Sequence, residues 1–461
     1  MAHGSMLKWI APATALLLCF VGAARAAGST NGMQKAPDPQ LAAEATGRDA
    51  LFGDDLPAPG EIGATSAWKG YVQGELARAY RAPAHWSKAR LRVELIREGR
   101  LTDAIKWKIG GRFDYDAAYD RSAFYPPAVR DDQRSEFSLR ENYLDISAGD
   151  WDIRLGRQHI VWGEIVGTFV ADVVSAKDMR EFVLPEFGQL RIPQWAARAE
   201  YFRNDFHAEA LWIPVPSFDK IGKPGADFYP HPLPVAADYL GEQTPSRKLS
   251  NSNYGFRLSQ LKNGWDVSAF YYHSLDAAPT FYRVGGDATR FIFQPRHDKI
   301  DQAGATVTKD LGSAVLKTEL VYTRGRQFNV TRLSDPDGLV RQNTLDYAIG
   351  LDFTPAADTR MNVQFLQRIF FTHDADIVAD KRENAASLLV THQLAPRVEA
   401  QALLIRSLNR ADWLFSPQLS WNFERNWRLM LGVDVLSGPS TGVFGRFDGN
   451  DRAYALLRYA F

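Results

Sequence analysis

The sequence predicts an all-β fold, a transmembrane antiparallel up-and-down barrel of about 18 strands (16 is the alternative count) with one inward-folded insert. Three observations carry that expectation. Apolar and polar residues alternate with period two through most of the chain. Tight turns alternate with long loops between those segments. An export signal precedes a long chain that no linker, repeat or charge block divides.

Residues 1–26 contain "LKWIAPATALLLCFVGAARA", with Lys8, an apolar run and an Ala24-Arg25-Ala26 cleavage site. This reads as a secretory signal peptide, because the run is too short to span a bilayer. Cys19, the only cysteine of 461 residues, lies inside it, so the exported chain is expected to have no disulfide and no cysteine metal site. The full chain carries 54 basic and 54 acidic residues, and removing Lys8 and Arg25 leaves 52 against 54. That balance gives no basic excess for nucleic acid and no acidic solvating tail. Residues 27–66 are rich in Pro, Ala and Gly and do not alternate, and are expected to form a periplasmic extension. The barrel is expected over 67–461.

The strands follow. In "ARLRVELI", Leu91, Val93 and Leu95 oppose Arg90, Arg92 and Glu94. In "AIKWKIGGRFDY", Ile105, Trp107, Ile109, Phe113 and Tyr115 oppose Lys106, Lys108, Arg112 and Asp114. "LDYAIGLDF" and "RLMLGVDV" repeat the pattern near the other end. Many such segments reach the roughly 9–11 residues that cross a bilayer at a tilt. Tight turns are expected near 97–103 and at 148–150, 203–205, 262–264, 310–312, 356–358, 395–397 and 424–426. Long loops fall at 117–134, 214–250, 274–290 and 327–342. Short periplasmic turns and long outer loops are how such barrels are built, with both chain ends in the periplasm. "TRFIFQPRHDK" fits a loop or a strand, which leaves the strand count open, and Pro417 is expected at a bulge or a late strand start. The closing "RAYALLRYAF" places Leu457, Tyr459 and Phe461 on one parity. It must pair with the first strand to remove the edges, and Tyr459 and Phe461 are expected to act as a signal to the barrel-assembly machinery.

One connection stands apart. Residues 161–193, "VWGEIVGTFVADVVSAKDMREFVLPEFGQLRIP", are long and apolar, and Val161, Ile165, Val166, Phe169, Val170, Val173 and Val174 suit a buried position. The segment is expected to fold into the lumen as a constriction. Its charged residues (Glu164, Asp172, Asp178, Arg180, Glu181 and Arg191, with Arg157 just ahead) would then meet charges on the lumen wall or pair structurally.

The stretch "RLGRQHIVWGE", followed by "ADVVSAKDMREFVL" and "RIPQW", resembles an outer-membrane family catalogued only as a domain of unknown function. "RENYLDISAG" with "IRLGRQ" is more distantly similar to the alginate-export porins. The resemblance implies an outer-membrane barrel of eighteen strands and no particular substrate.

The functional expectation is a porin-like channel for diffusion or export of a small polar solute. A lumen wall bearing Arg90, Arg92, Lys106, Lys108, Arg112, Arg140 and Arg154, offset by Glu94 and Asp114, would guide an anionic or polyanionic one. An uptake channel for apolar compounds with the insert as a latch, and a structural or adhesive barrel with a blocked lumen, are the alternatives. The scattered histidines and the lack of a nucleophile motif or metal-ligand spacing argue against an enzyme, a cofactor or a metal. Lipid is the expected partner around the barrel.

Overall fold

A computed structural model describes residues 67–461 other than 121, 166 and 288. The expected signal peptide and N-terminal extension lie outside the described residues.

Eighteen strands form the barrel. The first six are β1 (Lys69–Ala79), β2 (His85–Thr102), β3 (Ile105–Asp116), β4 (in two pieces, Ser135–Leu139 and Asn142–Ala148), β5 (Trp151–Gln158) and β6 (Gln194–Arg203). Next come β7 (Phe206–Val215), β8 (Asn253–Lys262), β9 (Trp265–Leu275), β10 (Lys299–Asp310), β11 (Ala314–Asn329) and β12 (Leu339–Ala356). The last are β13 (Thr359–Phe370), β14 (Arg382–Ala395), β15 (Val398–Ser407), β16 (Trp413–Glu424), β17 (Trp427–Ser437) and β18 (Arg452–Ala460). Each pairs antiparallel with its sequence neighbour. The sheet closes where β1 meets β18, in register from Tyr71 opposite Ala460 to Ala79 opposite Arg452. Gly70 and Phe461 extend that ladder by exchanging two backbone hydrogen bonds of 2.9 Å each. Closure leaves no unpaired edge, the condition for β structure in hydrocarbon.

One rim carries only tight connections, at 103–104, 149–150, 204–205, 263–264, 311–313, 357–358, 396–397 and 425–426. Asn263 and Gly264 turn with φ of +54° and +72°, the left-handed pair that matches the twist of a two-residue hairpin. The opposite rim carries the long loops, and both chain ends of the barrel lie on the tight-turn side.

The outward parity is apolar. Leu76, Leu95, Ile109, Leu144, Leu155, Leu258, Leu320, Ile349, Val363 and Leu431 are exposed along the strands. Trp68, Trp151, Trp265, Trp421 and Phe461 are exposed toward the tight-turn rim, and Trp86, Phe137, Trp195, Trp212 and Tyr254 toward the other. An apolar band between two aromatic girdles is the surface that a bilayer covers.

Two sequence expectations resolve here, and one feature is new. The segment Phe291–Arg296 joins Thr280–Gly286 and Ala237–Tyr239 in a small sheet of the long loops, outside the barrel. Pro417 is neither a late strand start nor a bulge. It lies four residues inside β16, opposite Ala402, and the register with β17 is unchanged across it. The missing N–H costs only ladder pairs there, because the flanking bonds fix the strand. Finally, β4 carries one extra residue. Gly111 faces Leu139 while Lys108 faces Tyr143, so three residues of β4 oppose two of β3. The Asn142 side chain fills the break, donating to the Gly110 carbonyl at 2.8 Å. The bulge lets Arg140 and Glu141, adjacent in sequence, both reach lumen partners.

Candidate functional site

The lumen is the site. The insert enters it after β5 and is held in three ways. Apolar packing comes first: Ile160, Trp162, Ala171 and Val174 form one core with Ala196, Leu211, Ile213, Phe270, Tyr272 and Val321, with Val170 and Val173 packed against it. Trp162 is 1% exposed and donates its indole N–H to Glu209 at 3.2 Å. Gly255 makes room for it, since a Cβ there would lie 2.8 Å from the indole ring. Phe169 stacks on Phe187 at 4.3 Å, with the Lys177 ammonium 4.6 Å from its ring centroid. Val166 lies outside the described residues.

A buried carboxylate provides the second hold. Glu319 of β11 accepts backbone N–H donors from Glu164, Ile165 (2.7 Å) and Ala171 (2.7 Å), closing the insert's first turn onto the wall. The third hold is ionic. The Glu181 carboxylate meets Lys88, Arg90 (2.9 Å) and Arg452 (3.0 Å), and Glu186 meets Arg458 at 3.2 Å. Arg180 bridges Asp178 (2.5 Å) and Glu136 of β4 (2.6 Å). Arg191 pairs with Asp172 at 2.7 Å, and Glu164 accepts from Thr308 at 2.5 Å. Although burial alone would raise Asp178, the Arg180 guanidinium holds it down at about 2.

The residues singled out on the wall fall as follows. Arg90, Arg92, Glu94, Lys108, Arg112, Asp114, Arg140 and Arg154 are buried or half-buried on the lumen side, and each has an opposite charge beside it. Arg92 meets Asp114 at 2.6 Å, Arg112 meets Glu94 at 2.6 Å, and Arg140 approaches Glu94 at 3.9 Å. Lys108 meets Glu141 at 2.6 Å and Arg154 meets Asp145 at 2.8 Å. Lys106 is exposed at the tight-turn end of β3. Arg157 registers opposite Trp195, and its Nε is buried without a hydrogen-bond partner among the described residues. Gly156 before it has φ of +131°, and a Cβ there would lie 2.3 Å from the Asn142 carbonyl oxygen, so the "GRQ" glycine is sterically required. Sequence reading missed Glu319, Lys88, Arg452 and Trp162 as holders of the insert. Lys88 was legible, being two residues before Arg90 on the same parity.

Beside the insert lies a cavity of about 620 Å³, reaching from residues 183–189 to the tight-turn rim at Gly312 and Ser313. Glu75, Glu186, Asp352 and Glu399 line it against Arg90, Arg360, Arg428 and Arg452, four charges of each sign. Phe182, Val183 and Leu184 of the insert also pack under Phe228, Ile405, Leu414, Leu436, Phe444 and Phe447.

Glu200, His207 and Glu209 are the group with metal-ligand spacing among the described residues. Protein donors already engage it: Arg198 pairs with Glu200, and His207 lies 3.1 Å from both Glu200 and Ser259. That Ser–His–Glu order sits where Ser259 and His207 face each other in a strand ladder, which commits the backbone N–H groups an oxyanion would need.

Residues 84–422 match the family described as proteins of unknown function, DUF1302. The chain belongs to the DUF1302 family. No curated protein matches the sequence. Among solved structures, this DUF1302 barrel is similar to OccAB1 of Acinetobacter baumannii, with a TM-score of 0.53 at 9% identity over 87% of this chain and 98% of that one. It is also similar to OccAB3 of the same organism, with a TM-score of 0.50 at 10% identity over 86% and 99%. A looser likeness, with a TM-score of 0.41 at 12% identity over 86% and 99%, is to an anion-selective porin from Comamonas acidovorans. The shared feature is the fold.

Proposed function

We propose that this DUF1302 protein is a non-enzymatic outer-membrane channel of porin type, passing a small polar solute by diffusion or export past the insert as its constriction. The observation that carries the reading is a charged cavity of about 620 Å³ inside a closed, lipid-banded barrel. Eighteen strands enclose enough space for an aqueous path, whereas an eight-stranded barrel fills with side chains. The wall cations are balanced by acids, so any preference for anions comes from local positions such as Lys106 rather than from a net positive pore. Export past the outer membrane, delivery by the assembly machinery and the distant likeness to alginate-export porins belong to the same reading.

Planar-bilayer recording tests it. Deleting residues 161–191 should raise single-channel conductance severalfold, because the deletion clears the lumen of Trp162 and its neighbours. No current from either form would identify a blocked structural barrel instead. Changing Lys106 and Lys108 together to Glu should move the reversal potential in a salt gradient toward cation preference, since Lys108 then becomes a carboxylate facing Glu141. An unmoved potential would leave the channel and remove the anion preference.

A further inference from the structure

Three cations from two distant parts of the chain converge on one carboxylate of the insert. Lys88 and Arg90 come from β2 and Arg452 from β18, and all three meet Glu181. The wall itself supplies two acids to this group. Glu75 takes Lys88 and Arg90 at 2.7 Å each, and Asp434 takes Arg452 at 2.8 Å. Within direct ion-pair distance the wall thus sets two acids against three cations, and Glu181 supplies the third carboxylate, while the buried Asp116 acts on Lys88 and Arg90 without pairing directly. Lys88 and Arg452 are each 3% exposed, and a buried excess charge is costly unless an anion meets it. The wall is therefore a built receptor for one carboxylate, and the insert's own glutamate sits in it.

Two further features distinguish this contact from an ordinary structural ion pair. Phe182, next to Glu181, has φ of +55°, a left-handed conformation that a bulky residue adopts only under constraint. The turn also stands between two spaces. Arg90, Pro185 and Gln189 line both the large cavity and a smaller one of about 50 Å³ on the other side, which Glu181 also lines. A solute in the large cavity meets Arg90 and Arg452 directly, because both line it.

Resting on the channel reading above, we propose that Lys88, Arg90 and Arg452 form a carboxylate-binding site that Glu181 occupies at rest, and that a carboxylate-bearing solute opens the path by displacing it. Competition rather than protonation releases the latch. Burial would raise the Glu181 carboxyl, but Lys88, Arg90 and Arg452 outweigh burial and hold it well below the usual carboxylate range.

The test uses the full-length protein in planar bilayers, in potassium chloride, potassium succinate and potassium sulfate at equal ionic strength. Succinate is expected to raise the open fraction of the native channel about tenfold over chloride, with sulfate giving no such rise. Glu181→Gln should be open about tenfold more than native in chloride and lose the succinate response. A heat-modifiable gel shift confirms that each variant is folded, and the native salt comparison needs no variant at all. Equal native behaviour in succinate and chloride, or an equal effect of sulfate, overturns the carboxylate site. So does a folded Glu181→Gln that matches native. A current that persists in the form lacking 161–191 while these results fail leaves the channel reading standing; no current in any form defeats that reading itself.

Discussion

A chain ending at Asp451 should yield no closed barrel. Strand β18 contributes nine residue pairs to β1 and eight to β17, and its loss exposes both partners as edges in hydrocarbon. Each backbone group left unpaired there costs several kcal/mol, so the sum exceeds the roughly 5–15 kcal/mol by which a folded protein is stable. The measurement is the gel shift between unheated and boiled samples, together with a protease-resistant core, both of which should vanish. A folded, heat-modifiable product would show that β1 and β17 can pair directly. A smaller lesion separates pairing from recognition. Phe461→Ala keeps both backbone bonds to Gly70 and removes only a rim side chain. It should fold in detergent as well as native yet accumulate less in the outer membrane of cells; equal accumulation would remove Phe461 from the assembly signal.

Glu319→Ala should release the insert while leaving the barrel intact. Three insert N–H groups lose their acceptor at once, and an unsatisfied buried donor costs about 1–3 kcal/mol. That is several kcal/mol directed at one segment, enough to shift its local opening a hundredfold or more by the rule that about 1.4 kcal/mol is tenfold. Limited proteolysis should cut between 164 and 190 in the variant and not in the native protein, with the gel shift unchanged. Glu319→Gln should give a smaller effect, since one carbonyl oxygen remains to accept from Glu164 and Ile165. Insert resistance equal to native in the Ala variant would mean that the apolar core around Trp162 holds the segment alone.

Much of this was legible because a strand has period two and lipid is a uniform solvent. The face holding Leu91, Val93 and Leu95 could only be the outer one, which sent Arg90, Arg92 and Glu94 inward, as the structure has them. The tight turns read equally well, since a two-residue hairpin needs residues such as Asn263-Gly264. Where alternation failed, a signal went unread. "LWI" at 211–213 and "FYY" at 270–272 are apolar on both parities, and there Leu211, Ile213, Phe270 and Tyr272 face the insert while Trp212 and Tyr271 face outward. A strand greasy on both faces has a second apolar neighbour, so these runs marked where the insert would pack.

Counting put Arg140 on the lumen wall but could not bring its neighbour Glu141 there as well, because the bulge in β4 resets the parity between them. Sequence by itself determined the barrel, its closure and the faces of strands such as β2 and β3, since those follow from local periodicity and from the need to pair every backbone group in lipid. Tertiary structure alone decided which charges meet. Glu181 reaches Lys88, Arg90 and Arg452 across separations of 93, 91 and 271 residues, and electrostatics acts through space, with no trace in the spacing of the chain.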